Sequence, residues 1–194
     1  MILRILFLVA LMAMPLQAQA DVFVYEDPDY DFKIVFPDDW RISPARGEER
    51  VKIKPMHGDD KVSCAMNVVR DGRLTIYPKK YMQTAVALTL DDSFWKYDVL
   101  PDYTNYKVMT YYAPAGLGQG YATSLQWVWH DGDDAMQAMS TASIYGDLQY
   151  RFTCMATVEA FGKWQPLFGD IFDDIRLTEK YVPYPTGYYR NFLK

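Results

Sequence analysis

Along most of the chain hydrophobic and polar positions alternate with a period of two, and in two stretches the period lengthens to that of a helix. Phe32-Lys33-Ile34-Val35-Phe36 alternates and stops at the turn signal Pro37-Asp38-Asp39, after which Trp40-Arg41-Ile42 resumes an extended pattern. Val51-Lys52-Ile53-Lys54 alternates again, and His57-Gly58-Asp59-Asp60 makes the next turn. Val62 to Val69 then predicts a strand with Val62, Cys64, Met66 and Val68 on one face. After Arg73 a helical spacing takes over. Pro78 suits a first helical position, and Tyr81, Ala85 and Leu88 follow on one face, flanked by Met82 and Val86. Lys79 and Lys80 oppose the macrodipole at that end, so this helix must rely on packing. Residues 91–102 fit neither period; a short helical turn around Phe94-Trp95 is the expectation.

Four longer strands, near 105–113, 121–130, 135–145 and 148–157, are separated by Gly-rich or Asp/Gly-rich turns and predict an antiparallel meander. The last element places Val158, Phe161, Trp164, Phe168, Ile171, Phe172 and Ile175 on one helical face. Pro166 inside it predicts either a short turn with a helix starting there, or a kink. Tyr181 to Lys194 has no clear period, and no internal repeat is present. The elements sum to one α+β domain over residues 21–178, an antiparallel sheet flanked by helices, followed by an aromatic, proline-rich tail at 179–194.

Composition places this domain. Half of the 194 residues are hydrophobic and 23% are charged, which excludes wholesale disorder. Lys and Arg number 20 against 25 Asp and Glu, a net charge of −5 that argues against nucleic acid as a principal partner and against anionic membrane surfaces held by charge alone. Residues 1–20 read as a secretory signal: Arg4 is the positive start, Ile5 to Leu16 an apolar run, and Ala18-Gln19-Ala20 a cleavage site of small residues. The run falls short of the roughly 20 residues of a membrane-spanning helix, and Pro15 interrupts it. An uncleaved anchor is the competing reading. No integral span is expected after cleavage, so the mature chain is expected in the periplasm or outside the cell.

Several segments carry a family likeness. They are Tyr30-Asp31-Phe32-Lys33-Ile34-Val35-Phe36-Pro37-Asp38-Asp39-Trp40, the strand Val62-Ser63-Cys64-Ala65-Met66-Asn67-Val68, and the helix beginning near Pro78. The strand Tyr150-Arg151-Phe152-Thr153-Cys154-Met155-Ala156-Thr157 and the helix opening Phe161-Gly162-Lys163-Trp164-Gln165-Pro166-Leu167-Phe168 complete the set. Over residues 22–178 the chain resembles the PsbP-like fold, the α/β/α sandwich shared by PsbP and the periplasmic DcrB group. The resemblance implies a binding or assembly role, since members of that superfamily are mostly binding and assembly factors. It supplies no catalytic residue, and the chain lacks the lipoprotein cysteine of DcrB.

Candidate chemistry is sparse. Cys64 and Cys154 both lie on inward registers; in an exported protein they either pair, or stay as two buried thiols on strands that are not neighbours. A bridge would close a loop worth ~4 kcal/mol in the chain-entropy model. His130, Asp131, Asp133 and Asp134, like His57-Gly58-Asp59-Asp60, could in principle hold a divalent cation, but they match no EF-hand pattern and are what tight turns require. Gly116-Leu117-Gly118-Gln119-Gly120 precedes a strand, not a helix, so it reads as a hairpin and not a phosphate loop. No nucleophile motif is present. Tyr111-Tyr112 and Gln126-Trp127-Val128-Trp129 put large rings on opposite strand faces, with helices expected to cover both faces of the sheet. Tyr181, Tyr184, Tyr188, Tyr189 and Phe192 crowd the tail and are candidates for partner contact, or for folding back over a groove of their own domain. The expectation is an exported, non-enzymatic binding or assembly factor of the cell envelope with a protein partner and no cofactor. The alternatives are an envelope hydrolase using paired carboxylates, or a small-ligand or metal-binding module.

Overall fold

The computed structural model describes residues 22–58, 60–75 and 77–177. The signal-peptide expectation and the tail with its Tyr181, Tyr184, Tyr188, Tyr189 and Phe192 lie outside the described residues.

Two strands open the chain, β1 (Val22–Asp27) and β2 (Phe32–Pro37), paired antiparallel. Asp27 makes their turn: its carboxylate accepts from the backbone N–H of Asp29 and of Tyr30, each at 3.0 Å. The alternation read from the sequence is real, because Phe32, Ile34 and Phe36 are all buried. After the Asp38-Asp39 turn come β3 (Trp40–Ser43), β4 (Glu49–Pro55) and β5 (Ser63–Arg70). A crossing segment follows, with helix α1 (Met82–Thr89) and a run of helical turns, Asp92–Phe94, Trp95–Val99 and Leu100–Asp102. Asp91 caps those turns, accepting from Ser93 N at 2.9 Å and Phe94 N at 3.2 Å. The meander comprises β6 (Lys107–Leu117), β7 (Gly120–Asp131), β8 (Asp134–Tyr145) and β9 (Leu148–Thr157). Helix α2 (Val158–Asp174) and the short β10 (Arg176–Leu177) close the described chain.

The large sheet has seven strands in the order β3-β4-β5-β9-β8-β7-β6, and the small one is β1-β2-β10. Because β9 returns to pair with β5, the crossing segment must carry the chain over one sheet face to the far edge strand β6. Alternation then builds two cores. On the first face, Cys64, Met66, Tyr150, Phe152 and Cys154 meet α2 and the small sheet through Phe32, Ile34, Phe161, Phe168 and Phe172. On the second face, Leu125, Trp127, Ala138 and Ile144 meet Val86, Leu90, Phe94, Trp95 and Leu100. Thr123 fastens this second layer: its hydroxyl donates to the Leu90 carbonyl at 2.6 Å and accepts from Trp95 Nε1 at 3.0 Å, all inside the core.

Three expectations need correction. In α1 the buried face is Ala85 and Val86 with Leu90, whereas Tyr81 is 53% and Leu88 73% exposed. The alternative stripe wins because it is the one that meets Leu125 and Ile144. Pro166 starts no helix: α2 runs through it from Val158 to Asp174. The hydrogen bond it cannot donate would go to Gly162, and both residues are exposed, so the missing bond is not buried. Trp127 and Trp129 do not divide between faces either, since residues two apart share one; both are buried in the second core beside Tyr103. Tyr111 and Tyr112 do divide, Tyr111 packing on that core and Tyr112 standing half-exposed.

Candidate functional site

One crossing segment is not wide enough to cover a seven-stranded face. The second face is roofed over β6–β8 and over the Thr153–Met155 end of β9, with Ala65 and Ser63 of β5 buried beside it, and it is left open over β3, β4, and the Asn67–Val69 and Gln149–Arg151 stretches of β5 and β9. By alternation the side chains on the open half are Arg41 from β3, Lys52 and Lys54 from β4, Asn67 and Val69 from β5, and Gln149 and Arg151 from β9. They are consecutive in register, Asn67 opposite Arg151 and Val69 opposite Gln149. Glu49 stands opposite Asn67 and pairs with Lys52 at 3.8 Å, so four cations, Arg41, Lys52, Lys54 and Arg151, meet one acid there, and the shelf is locally basic in a protein with a net negative charge.

Where the roof ends, a groove of about 410 Å³ runs between Phe94 and Asp98 of the helical turns and Asn67, Gln149 and Arg151 of the sheet. Its end is built by Asp71 and Arg73. The Arg73 guanidinium donates from Nε at 2.9 Å and Nη2 at 2.6 Å to the Asp71 carboxylate, and Arg73 N adds a bond at 3.0 Å. Burial pushes the Asp71 carboxyl up, but the Arg73 hydrogen bonds and charge outweigh it and hold the carboxyl below the usual carboxylate range. Arg70 is anchored on Asp147 at 2.7 Å. Arg151 differs. Among the described residues no carboxylate stands within ion-pair distance of its guanidinium. Nearby, Tyr103 lies over Trp127 and Trp129, and burial raises its phenol well above the ordinary range, the Arg151 charge opposing that rise.

The lower edge of the shelf is also basic. Arg41 and Lys54 face each other directly across β3 and β4, a like-charge pair that costs stability where nothing intervenes. They line a smaller cavity of about 190 Å³ with His57, Lys61 and Trp164. Its single described carboxylate, Asp60, accepts from Trp164 Nε1 at 2.9 Å and Lys163 Nζ at 3.2 Å, and these bonds hold its carboxyl below the usual range.

Cys64 and Cys154 come together as a disulfide between directly opposed residues of β5 and β9, with Cα atoms 4.0 Å apart. They lie on the first face, beneath the shelf and away from solvent. His130, Asp131, Asp133 and Asp134 surround the β7–β8 hairpin, whose turn is Gly132-Asp133, and Asp134 pairs with Lys61. Gly118 sits in the β6–β7 turn at φ 53°, where a Cβ would meet the Ile175 carbonyl oxygen at 2.1 Å, so that glycine serves close packing against the end of α2. The groove residues Asn67, Gln149 and Arg151 were missed in the sequence. Their signal was the polar half of two alternating strands, which reads the same for any solvated face.

No protein-family model matches the sequence, and no curated protein does. Solved structures do. The chain is similar to cyanobacterial PsbP (CyanoP) from Synechocystis sp. PCC 6803 at 10% identity, covering 86% of this chain and 98% of that one with a TM-score of 0.59. It is also similar to LpqN of Mycobacterium tuberculosis, described as involved in cell envelope biogenesis, at 14% identity, covering 82% and 92% with a TM-score of 0.53. The chain thus has the PsbP-like fold.

Proposed function

We propose that the protein is an exported, non-enzymatic binding or assembly factor of the cell envelope, and that the open half of its sheet is the surface that takes the partner. The observation that supports this most is Arg151, a half-buried guanidinium at the floor of a groove of about 410 Å³ that has no carboxylate partner among the described residues. A protein partner that presents a carboxylate there would gain a charge-assisted bond in a partly desolvated site. Three acids line the groove, Glu48, Asp71 and Asp98, and the one built into its end is an anchor. Asp71 is engaged by both arms of Arg73 and held ionised, which suits an anchor and not a proton donor. Export is supported by the signal-like residues 1–20 and by the buried disulfide. The envelope setting is that of LpqN, whose fold the chain shares.

In-cell photo-crosslinking tests the reading. A photoreactive residue at Asn67 is expected to yield one adduct of defined size in the envelope, lost in Arg151→Glu. The same probe at Leu88, on the outer side of α1, is expected to yield none. Equal adducts from both positions, or an Asn67 adduct that survives Arg151→Glu, would overturn it.

A further inference from the structure

On the other side of the roof lies a second groove, unlike the first in character. It is a cavity of about 300 Å³ between α1 and the β7–β8 strands, walled by Leu74, Met82, Val86, Tyr121 and Ile144. Tyr121 at 48% and Tyr77 at 42% exposure form its apolar lip.

The described chain ends on that lip. Leu177 N donates to Gln119 Oε1 at 3.3 Å, and Gln119 Nε2 donates back to the Leu177 carbonyl. A Cβ built on Gly120 would lie 3.4 Å from the Leu177 side chain, so the two residues are in close contact. Gln119 and Gly120 both line the groove. Residues 178–194 therefore start beside an apolar cavity, and they carry Tyr181, Tyr184, Tyr188, Tyr189 and Phe192. Tyr181 follows the anchor by four residues, a reach of up to ~13 Å, and Tyr189 by twelve, up to ~40 Å.

We propose that residues 178–194 of the same chain occupy this groove, with tail tyrosines packed between Met82 and Tyr121. Tethering decides among the occupants. A segment fixed at the groove lip has an effective concentration of order millimolar, which a second copy or a free partner at micromolar levels does not match. The rings are also of the right kind, because tyrosine buries a large apolar face and leaves its hydroxyl wet at a rim. The tail thereby becomes a clasp across α1 and not a free docking arm.

Limited trypsin digestion of the full mature chain tests this at the bonds after Lys180 and Arg190. Both are expected to be cut at least about tenfold more slowly than in a synthetic peptide of residues 178–194. Tyr121→Glu, on the exposed lip, is expected to raise the rate toward that of the peptide with little change in Tm, and Tyr77→Glu serves as a second variant should the first misfold. Cleavage of the native chain at the peptide's rate would overturn the proposal and leave the groove for a partner. Protection that grows with protein concentration would overturn it in favour of a second copy's tail. A photoreactive residue at Tyr184 is expected to cross-link within its own chain to the peptide containing Tyr121; cross-links solely to other chains would contradict it.

Discussion

The two faces of the seven-stranded sheet are made from the same strands and end up with opposite tasks. On the first face, every second residue of β5 and β9 is apolar and buried under α2 and the small sheet, with the disulfide in the middle. On the second, the alternate residues of those same strands include Asn67, Val69, Gln149 and Arg151, which line the groove beside Phe94 and Asp98. The difference comes from topology. Four elements, β1, β2, β10 and α2, close over the first face, while a single crossing segment reaches the second and gets no farther than the Met155 end of β9. The side chains that build the first core and those that face the groove are therefore one residue apart along β5 and β9, and the surface proposed for the partner lies on the second side.

Adjacent residues of β9 break or sustain that contrast most strongly. Phe152 is fully buried against Phe172 at 5.0 Å, and Phe152→Ala is expected to cost about 3–5 kcal/mol in urea unfolding. Arg151→Ala, its neighbour on the open face, is expected to stay within about 0.5 kcal/mol. Comparable losses at both would dissolve the distinction. Next in size is the bridge: reduction of Cys64–Cys154 is expected to lower stability by about 2–4 kcal/mol, and thiol labelling without denaturant should find neither sulfur. Thr123→Val would probe the roof. It strips the donor to Leu90 and the acceptor for Trp95 and is expected to cost about 1–2 kcal/mol, with faster amide exchange in α1 than in α2.

The smallest effect is a pH dependence at the groove. The Asp71 carboxyl is held below its unfolded value by Arg73, so its contribution is complete above about pH 4 and lost as pH falls through the lower folded value. Asp71→Asn is expected to remove about 1 kcal/mol at pH 7 and to flatten the stability curve below pH 4. An unchanged acid limb in that variant would show that Arg73 does not hold the carboxylate.

Much of the first face was legible in the sequence. Phe32 to Phe36, Val62 to Val68 and Tyr150 to Ala156 alternate without interruption, because one side of each strand is buried along its whole length. The parity of Cys64 and Cys154 was readable too, but not their adjacency, since β5 and β9 are 90 positions apart and pair only through the crossover. In α1 the expected stripe was Tyr81, Ala85 and Leu88, and which side of the helix faces Leu125 is decided by the sheet beneath and not by the helix. The open half of the second face was invisible for the same reason. A row of Lys, Asn, Gln and Arg marks solvent exposure, while the groove depends on where residues 82–102 come to rest.

Amine labelling of the protein in the intact envelope, set against the purified protein, tests most directly whether the open face is occupied at work. Lys52 and Lys54 lie on the shelf, whereas Lys80 and Lys96 are exposed elsewhere. The account predicts that Lys52 and Lys54 label several-fold more slowly in the envelope while Lys80 and Lys96 label as in solution. Equal labelling of all four lysines in both settings would contradict it.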